Sequence, residues 1–386
     1  NPTGQAACVT VTLEALGCQG AQVGIVAYST FDPANPAANV IGDLGVSTSG
    51  SGTFAFPVAA GASFTIVVHD IIETPNALCP NFAYFIRYHT SCRQAGFDRT
   101  NDGRADVTVW RPSNGFWYSV NSAGGFNFFQ FGAAGDIIAA GDYTGDNQTD
   151  YGVYRPNGNN WFYTTTGANF VGFQFGAPGD VPAPADYDRD GRADAAVWRP
   201  SNGNWYILQS SNNTLRAVQW GRDGDTPVWG DYDGDLANDF AVVRTGEAPG
   251  APNQYRWYVL LSGSRFVVPP SFLAVSWGLA GDKPVPGDYD GDAKSDIAVF
   301  RPSDGVWYFL KSADGQFAAL QWGTNGDIPQ PADYDGDRIM DFAVFRPSAD
   351  PDANFWYIRN SSNGAFASIE WGEPNDQPAS APYRVQ

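Results

Sequence analysis

One nine-residue phrase limits what this chain can fold into. Asp-x-Asp-x-Asp-x-x-x-Asp, followed by a short apolar strand and an arginine, recurs with its first aspartate at Asp98, Asp142, Asp186, Asp231, Asp288 and Asp333. The spacings are 44, 44, 45, 57 and 45 residues. A period of about 40–50 residues with several short strands per unit belongs to a propeller rather than to a helical solenoid. The third unit displays the strands: Asp194-Ala-Ala-Val-Trp-Arg-Pro, Asn204-Trp-Tyr-Ile-Leu-Gln, Leu215-Arg-Ala-Val-Gln-Trp-Gly and Thr226-Pro-Val-Trp-Gly, with turns at Ser201-Asn-Gly and Ser211-Asn-Asn. The expectation is four strands per unit, the fourth running into the next acidic loop. Ile297-Ala-Val-Phe is apolar on both alternating faces, as a strand between two neighbouring sheets must be.

The fourth unit is longer than the others, with its surplus at Gly246-Glu-Ala-Pro-Gly-Ala-Pro and Val268-Pro-Pro-Ser-Phe, where other copies turn. Asp376-Gln-Pro-Ala-Ser-Ala-Pro-Tyr383 matches the strand that precedes each acidic loop but reaches no loop. It is expected to close the ring beside Gly96 and Phe97, which removes exposed edges. The fold class expected is therefore all-β: a six-bladed propeller over residues 96–386, with seven blades as the alternative if residues near the junction complete another.

Residues 1–95 lack the repeat. Val9-Thr-Val-Thr-Leu, Val23-Gly-Ile-Val-Ala-Tyr and Ser63-Phe-Thr-Ile-Val-Val alternate at period two, which reads as a small β-sandwich. All four cysteines, Cys8, Cys18, Cys79 and Cys92, fall here with no Cys-x-x-Cys pair. Two disulfides in an oxidising compartment fit better than zinc. Of the three pairings, Cys8–Cys18 with Cys79–Cys92 is favoured, since each could staple a local hairpin. No run of 18 apolar residues occurs, so no transmembrane helix is expected. The expected location is secreted, extracellular or cell-surface, with any signal peptide already removed.

The acidic loops carry the chemistry. The third to sixth copies place aspartates at positions 1, 3, 5 and 9: Asp186, Asp188, Asp190 and Asp194; Asp231, Asp233, Asp235 and Asp239; Asp288, Asp290, Asp292 and Asp296; Asp333, Asp335, Asp337 and Asp341. Four carboxylates in nine residues repel one another unless a cation sits among them. With a position-7 carbonyl and a water they supply six or seven oxygens at about 2.3–2.6 Å, which is calcium geometry. No loop contains His or Cys, which makes transition metals poor candidates. The first two copies have Asp98, Asp102 and Asp106 around Thr100, and Asp142, Asp146 and Asp150 around Thr144. Each lacks one carboxylate, so the expectation is about six calcium sites, the first two weaker. These loops hold 22 of the chain's 41 acidic residues, and six calcium ions would bring the net charge from −19 to −7. The same acidity excludes nucleic acid and anionic membrane surfaces as partners.

These repeats resemble the FG-GAP/VCBS repeats of integrin α-subunit propellers and of bacterial secreted proteins, on Asp-x-Asp-Gly-Asp-x-x-x-Asp followed by Ile-Ala-Val, over residues 96–383. The resemblance implies loops that bind calcium and rigidify a blade, in proteins of adhesion and ligand binding. The N-terminal module resembles the jelly-roll modules appended to bacterial secreted proteins.

Further features have bland readings that outweigh the sharp ones. Trp117, Trp161, Trp205, Trp257, Trp307 and Trp356, with Phe131, Phe175, Trp220, Trp277, Trp322 and Trp371, read as inter-blade packing before they read as sugar platforms. Arg111, Arg155, Arg199, Arg244, Arg301 and Arg346 end the first strand of each unit and are expected to fork onto a neighbouring carboxylate. The histidines are His69 and His89, both outside the repeats, and no nucleophile elbow, phosphate loop or dinucleotide fingerprint occurs. Asn147, Asn212 and Asn360 stand in glycosylation triplets that chance produces in Asn- and Ser-rich turns. The expected function is a non-catalytic extracellular calcium-binding scaffold or adhesion protein, self-assembling through its N-terminal domain into a homo-oligomer, surface layer or fibre. The alternatives are a lectin holding glycans at inter-blade aromatic pockets and a polysaccharide lyase.

Overall fold

The structure is a computed structural model that describes five strands of the N-terminal part and residues 96–165, 170–247, 253–262 and 272–382. The N-terminal strands form two antiparallel sheets. Ala7–Glu14 pairs with Ser51–Val58, and Val23–Tyr28 lies between Val40–Ser47 and Thr65–Asp70. The cysteine pairing and the surroundings of His69 and His89 lie outside the described residues.

From residue 96 onward the chain builds six four-stranded antiparallel sheets, the blades of a six-bladed propeller. The third blade runs Val181–Pro182, Ala195–Arg199, Asn204–Leu208, Leu215–Gln219 in spatial as in chain order. Among the described residues there is no α-helix, and no helix is long and apolar enough to cross a membrane.

The blade is offset from the sequence repeat by one strand. Thr226–Gly230 does not complete the unit it ends; it pairs with Asp239–Thr245, the second strand of the next blade. Each repeat therefore supplies three strands to its own sheet and the innermost strand to the following one. At the junction Gln377–Pro378 pairs with Trp110 and Val109, and the Phe97 amide donates to Ser380 O at 2.9 Å. The first blade is thus made from the last strand and Val107–Arg111, Phe116–Val120 and Phe126–Gln130, and the ring closes at six.

Burial explains why the second strands are apolar on both faces. Ile297 and Val299 join Val228, Ala241, Val243 and Trp257 of the fourth blade, while Ala298 and Phe300 join Phe342 and Val344 of the sixth. Alternate residues of one strand serve two cores, because each sheet is covered on both sides. The last such core sets Val107 and Val109 against Ala343, Phe345, Trp356 and Ile358, which seals the sixth blade to the first. The six Trp residues of the third strands are all buried. The indole N–H of Trp205 donates to Trp220 O at 2.9 Å, and that of Trp220 to Tyr258 O of the next blade at 3.0 Å. Trp277, Trp322 and Trp371 repeat this cross-blade bond, the last to Tyr118 O across the closure. The packing reading of these aromatics accounts for their buried faces.

Turn chemistry fixes the register. Gly203 has φ +68°, and a Cβ there would lie 2.1 Å from Gly221 O. Only glycine fits, because that close approach lets Gly203 O accept the Trp220 amide at 3.0 Å and pin the fourth strand to the third.

Candidate metal-binding loops and the arginine forks opposite them

Each acidic loop connects the innermost strand of a blade to the second strand, and its geometry is set by two left-handed residues. Positions 4 and 6 have positive φ in all six copies: Asn101 and Gly103, Gly145 and Asn147, Arg189 and Gly191, Gly234 and Leu236, Gly291 and Ala293, Gly336 and Arg338. Leu236 at φ 73° and Ala293 at 71° adopt a conformation that side chains resist, at a cost of order 1–3 kcal/mol each. Alternation of this kind curls the backbone so that amides point inward. Asp231 accepts from the Gly234 and Leu236 amides at 2.6 and 2.9 Å, and Asp288 and Asp333 are held in the same way.

The position-9 aspartate ties the loop to the far end of the third strand. One Asp239 oxygen accepts the Tyr232 amide at 2.8 Å and the other the Ser262 amide at 2.5 Å. Asp194, Asp296 and Asp341 are bound alike, by Tyr187 and Ser210, Tyr289 and Ser312, and Tyr334 and Ser361. All four are buried.

The loops are also joined to one another. The position-8 amide of each donates to the position-1 carbonyl of the loop before it: Thr149 to Asp98, Ala193 to Asp142, Asn238 to Asp186, Ser295 to Asp231, Met340 to Asp288, and Ala105 to Asp333. All six distances are 2.6–2.7 Å, and the last bond closes the circle. A change in one loop therefore bears directly on its neighbours.

The structure brings together the aspartates of positions 1, 3 and 9 in four copies. Asp186, Asp188 and Asp194, Asp231, Asp233 and Asp239, Asp288, Asp290 and Asp296, and Asp333, Asp335 and Asp341 each offer carboxylate oxygens within 4.8 Å of one another. Two oxygens on one calcium stand at most about 5 Å apart, twice the Ca–O distance, so this spacing fits a shared ion. The donor set is hard oxygen throughout. The position-5 residues Asp190, Asp235, Asp292 and Asp337 stand outside these groups. Asp235 accepts the Ala237 amide and the Ser262 hydroxyl, both at 2.9 Å, and Asp292 and Asp337 have matching partners. Asp98, Asp102 and Asp106, and Asp142, Asp146 and Asp150, are likewise outside the groups found among the described residues.

Without a cation, burial opposes charge on several loop carboxyls. Burial pushes Asp239 up to about 8, with Asp233 and Asp231 adding repulsion. Burial raises Asp341 to about 7 and Asp296 and Asp333 to about 6, each with a nearby loop aspartate adding to the rise. Asp142 is raised to about 6 for the same reasons, and Asp106 and Asp150 are raised. Burial next to position 9 also holds the Tyr187, Tyr232 and Tyr289 hydroxyls well above their usual range.

At the opposite end of every second strand the repeated arginine finds its carboxylate. Arg199 forks onto Asp180, Nε to one oxygen at 2.8 Å and Nη2 to the other at 2.9 Å. Arg111–Asp376, Arg155–Asp136, Arg244–Asp225, Arg301–Asp282 and Arg346–Asp327 repeat the fork. Each guanidinium also lies over an aromatic ring of its own blade, 4.2 Å from the Tyr206 centroid for Arg199. The aspartates were not singled out in the sequence. Their signal is a Gly-Asp or Asn-Asp step before each innermost strand, nineteen residues ahead of the arginine in five pairs and across the closure in the sixth.

Residues 288–344 match the family model of the FG-GAP-like repeat. Over these residues the chain is FG-GAP-like. The matched stretch runs from the fifth acidic loop through the sixth, and the same phrase recurs in the other copies. No curated protein matches the chain in sequence. Among solved structures, a lectin of Agrocybe aegerita that recognises non-reducing terminal N-acetylglucosamine is 14% identical, with 73% of this chain and 91% of that one covered at a TM-score of 0.44. A streptogramin B lyase is 7% identical over 75% of this chain and 97% of that one, also at 0.44. A virginiamycin B lyase from Staphylococcus aureus is 10% identical over 71% and 86%, at 0.42. Likeness at this level carries no activity from those proteins to this chain.

The insertion of the fourth unit falls largely outside the described residues. Its one described acidic side chain, Glu247, is paired with Arg244 and Arg222 and accepts from the Tyr258 hydroxyl at 2.9 Å. The Arg244 bond, aided by Tyr258, holds its carboxyl down to about 2.

Proposed function

We propose that this chain is a non-catalytic, calcium-stabilised scaffold of the cell exterior, with a disulfide-bonded β domain over residues 1–95 and a propeller over 96–386. Its role is to present a rigid ring for adhesion, with self-association through the N-terminal domain into an oligomer, layer or fibre. The observation that carries the reading is the chain of six mutually bonded loops, four of which gather three carboxylates within 4.8 Å. Where calcium binds, Asp186, Asp188 and Asp194 and their counterparts hold it. It supplies positive charge that these buried oxygens otherwise lack. The histidine-free repeats and the pairing of Glu247 favour a scaffold over a catalyst. The test is metal analysis of the purified protein together with melting in calcium and in excess chelator. Bound calcium and a lower melting temperature under chelation are expected; a metal-free protein with the same melting curve in both would end the reading. Light scattering at high concentration tests the assembly, and a strictly monomeric particle would remove it.

A glycan-binding role is the second reading, favoured by the outer rim. Phe126, Phe272, Phe317 and Phe366 open their outer strands at 55–69% exposure. Three of them sit 5.6–5.8 Å from Trp220, Trp277 and Trp322 of the preceding blade. Such paired rings suit sugar faces. A glycan array without hits, with and without calcium, would remove this role.

A further inference from the structure

We infer that the first two acidic loops hold no divalent cation, and that arginines and hydroxyl bridges stand in its place, so that the ring binds four ions and not six. This rests on the metal reading above and sharpens it loop by loop.

The donor set differs first. Position 3 is Thr100 in the first loop and Thr144 in the second, where the other loops have aspartate. The four groups of converging carboxylates among the described residues all come from the third to sixth loops. A cation site that loses a carboxylate becomes weaker, and the carboxylates left in these two loops are engaged by groups of the chain itself.

In the first loop Arg104 forks back onto Asp102, with Nε at 3.1 Å and Nη2 at 2.7 Å from one oxygen, and its amide donates to the other at 3.0 Å. Ser122 Oγ lies 2.9 Å from Asp102, 3.0 Å from Asp106 and 3.0 Å from Thr100 Oγ1. Thr100 Oγ1 in turn lies 3.3 Å from Asp98. Hydroxyls thus link all three aspartates that a cation would have to draw together. Oxygens already served by a guanidinium and by hydroxyl protons offer a calcium ion little.

The second loop is served from the first. Position 2 is tyrosine in five loops, and the Tyr187 and Tyr289 hydroxyls donate back to Ala183 O and Val285 O. In the first loop it is Arg99, which reaches across to its neighbour. Its Nη1 donates to Thr149 O at 2.7 Å and its Nη2 to Thr165 O at 2.5 Å, with the guanidinium 4.7 Å from the Tyr151 centroid. Thr149 immediately precedes Asp150, and Thr165 donates its hydroxyl to Asp150 at 2.5 Å. The guanidinium is therefore lodged between the two residues that bracket the buried position-9 carboxylate. An arginine alone does not set these loops apart, since Arg192 of the third loop reaches the matching Ser210 O at 2.7 Å; the threonine at position 3 and the missing converging group do.

The experiment counts ions on the full chain. After chelation and dialysis into calcium, native mass spectrometry is expected to find four ions at saturation, matching the four carboxylate groups. Five or six ions would overturn this inference while leaving the scaffold reading in place, and no bound ion would overturn both. Asp188→Asn is expected to lower the count by one, and Asp102→Asn to leave it unchanged. A loss of one ion from Asp102→Asn would also overturn the inference. Should either variant fail to fold, the count on the unaltered chain still decides.

Discussion

The second strand of each blade runs between two rings of buried aspartates, and the two rings face different surroundings. At the arginine end, Asp136, Asp180, Asp225, Asp282, Asp327 and Asp376 have side chains at most 3% exposed, and each is forked by a guanidinium of its own blade. At the loop end, Asp194, Asp239, Asp296 and Asp341 are as deeply buried, but amides and neighbouring carboxylates surround them. One ring carries its counter-charge in the chain; on the proposed reading the other takes it from bound calcium. On that reading the propeller is clamped unconditionally at one end and conditionally at the other.

The largest expected effect breaks the conditional end. For a site at a hundredfold over Kd, removing the ion costs about 2.7 kcal/mol, so several loaded loops together make chelation a large loss of melting temperature. The pH dependence of the chelated protein supplies its signature. Asp239 and Asp341, at about 8 and about 7 when folded, titrate near 3.8 when unfolded. Between those values the folded state binds more protons, so chelated stability falls as pH rises through roughly 4 to 8 and returns on acidification. Calcium-loaded protein is expected to do the reverse, because acid displaces the ion. Melting curves from pH 5 to 8, with calcium and with chelator, check both arms; parallel curves would contradict the comparison.

A smaller effect breaks the unconditional end. Asp180→Asn leaves Arg199 half-paired and is expected to cost roughly 2–3 kcal/mol, below the 3–5 of a fully buried pair because the arginine is partly exposed. Its cost is expected to be the same with calcium and with chelator. Asp376→Asn is expected to cost more, since it also loosens the closing strand Gln377–Pro378 on Val107–Arg111. Urea titration of the two variants separates local loss from loss of closure.

Salt distinguishes the ends more gently. Raising NaCl to about 1 M shortens the Debye length to about 3 Å, which screens the half-buried position-3 aspartates from one another more than the buried position-9 ones. It is expected to raise the melting temperature of chelated protein by several degrees and to leave the calcium-loaded protein nearly unmoved. The smallest effect is a gain: Ala293→Gly relieves a left-handed residue and is expected to stabilise the fifth loop by about 1 kcal/mol. The gain should persist in chelator, which a denaturation midpoint can read.

Much of this was legible in the sequence because repetition exposes it. Six loops in register made six blades the expectation, with seven left open until the pairing of Gln377–Pro378 closed the ring, and a tryptophan in each third strand marked the buried faces. The offset between repeat and blade was not legible: Thr226–Gly230 abuts the next loop in sequence, and only pairing reveals which sheet it joins. The partners Asp180 and Asp225 were missed because a Gly-Asp step reads as an ordinary turn, and their role rests on an arginine nineteen residues away. The distinction between position 3 and position 5 was hidden as well. Alternation in a linear phrase treats Asp233 and Asp235 alike, whereas the left-handed residues Gly234 and Leu236 leave Asp233 in the converging group and Asp235 against Ser262.

The handing of an inner strand from each repeat to the next has a consequence for how the protein is made. As the chain emerges from a ribosome, the second to sixth sheets can each be completed by residues already synthesised. The first sheet cannot: Phe116–Val120 and Val107–Arg111 must wait with an open edge until Gln377 and Pro378 arrive. The oldest part of the ring is the last to be finished, and throughout synthesis it is the edge that needs protection from strands of other molecules.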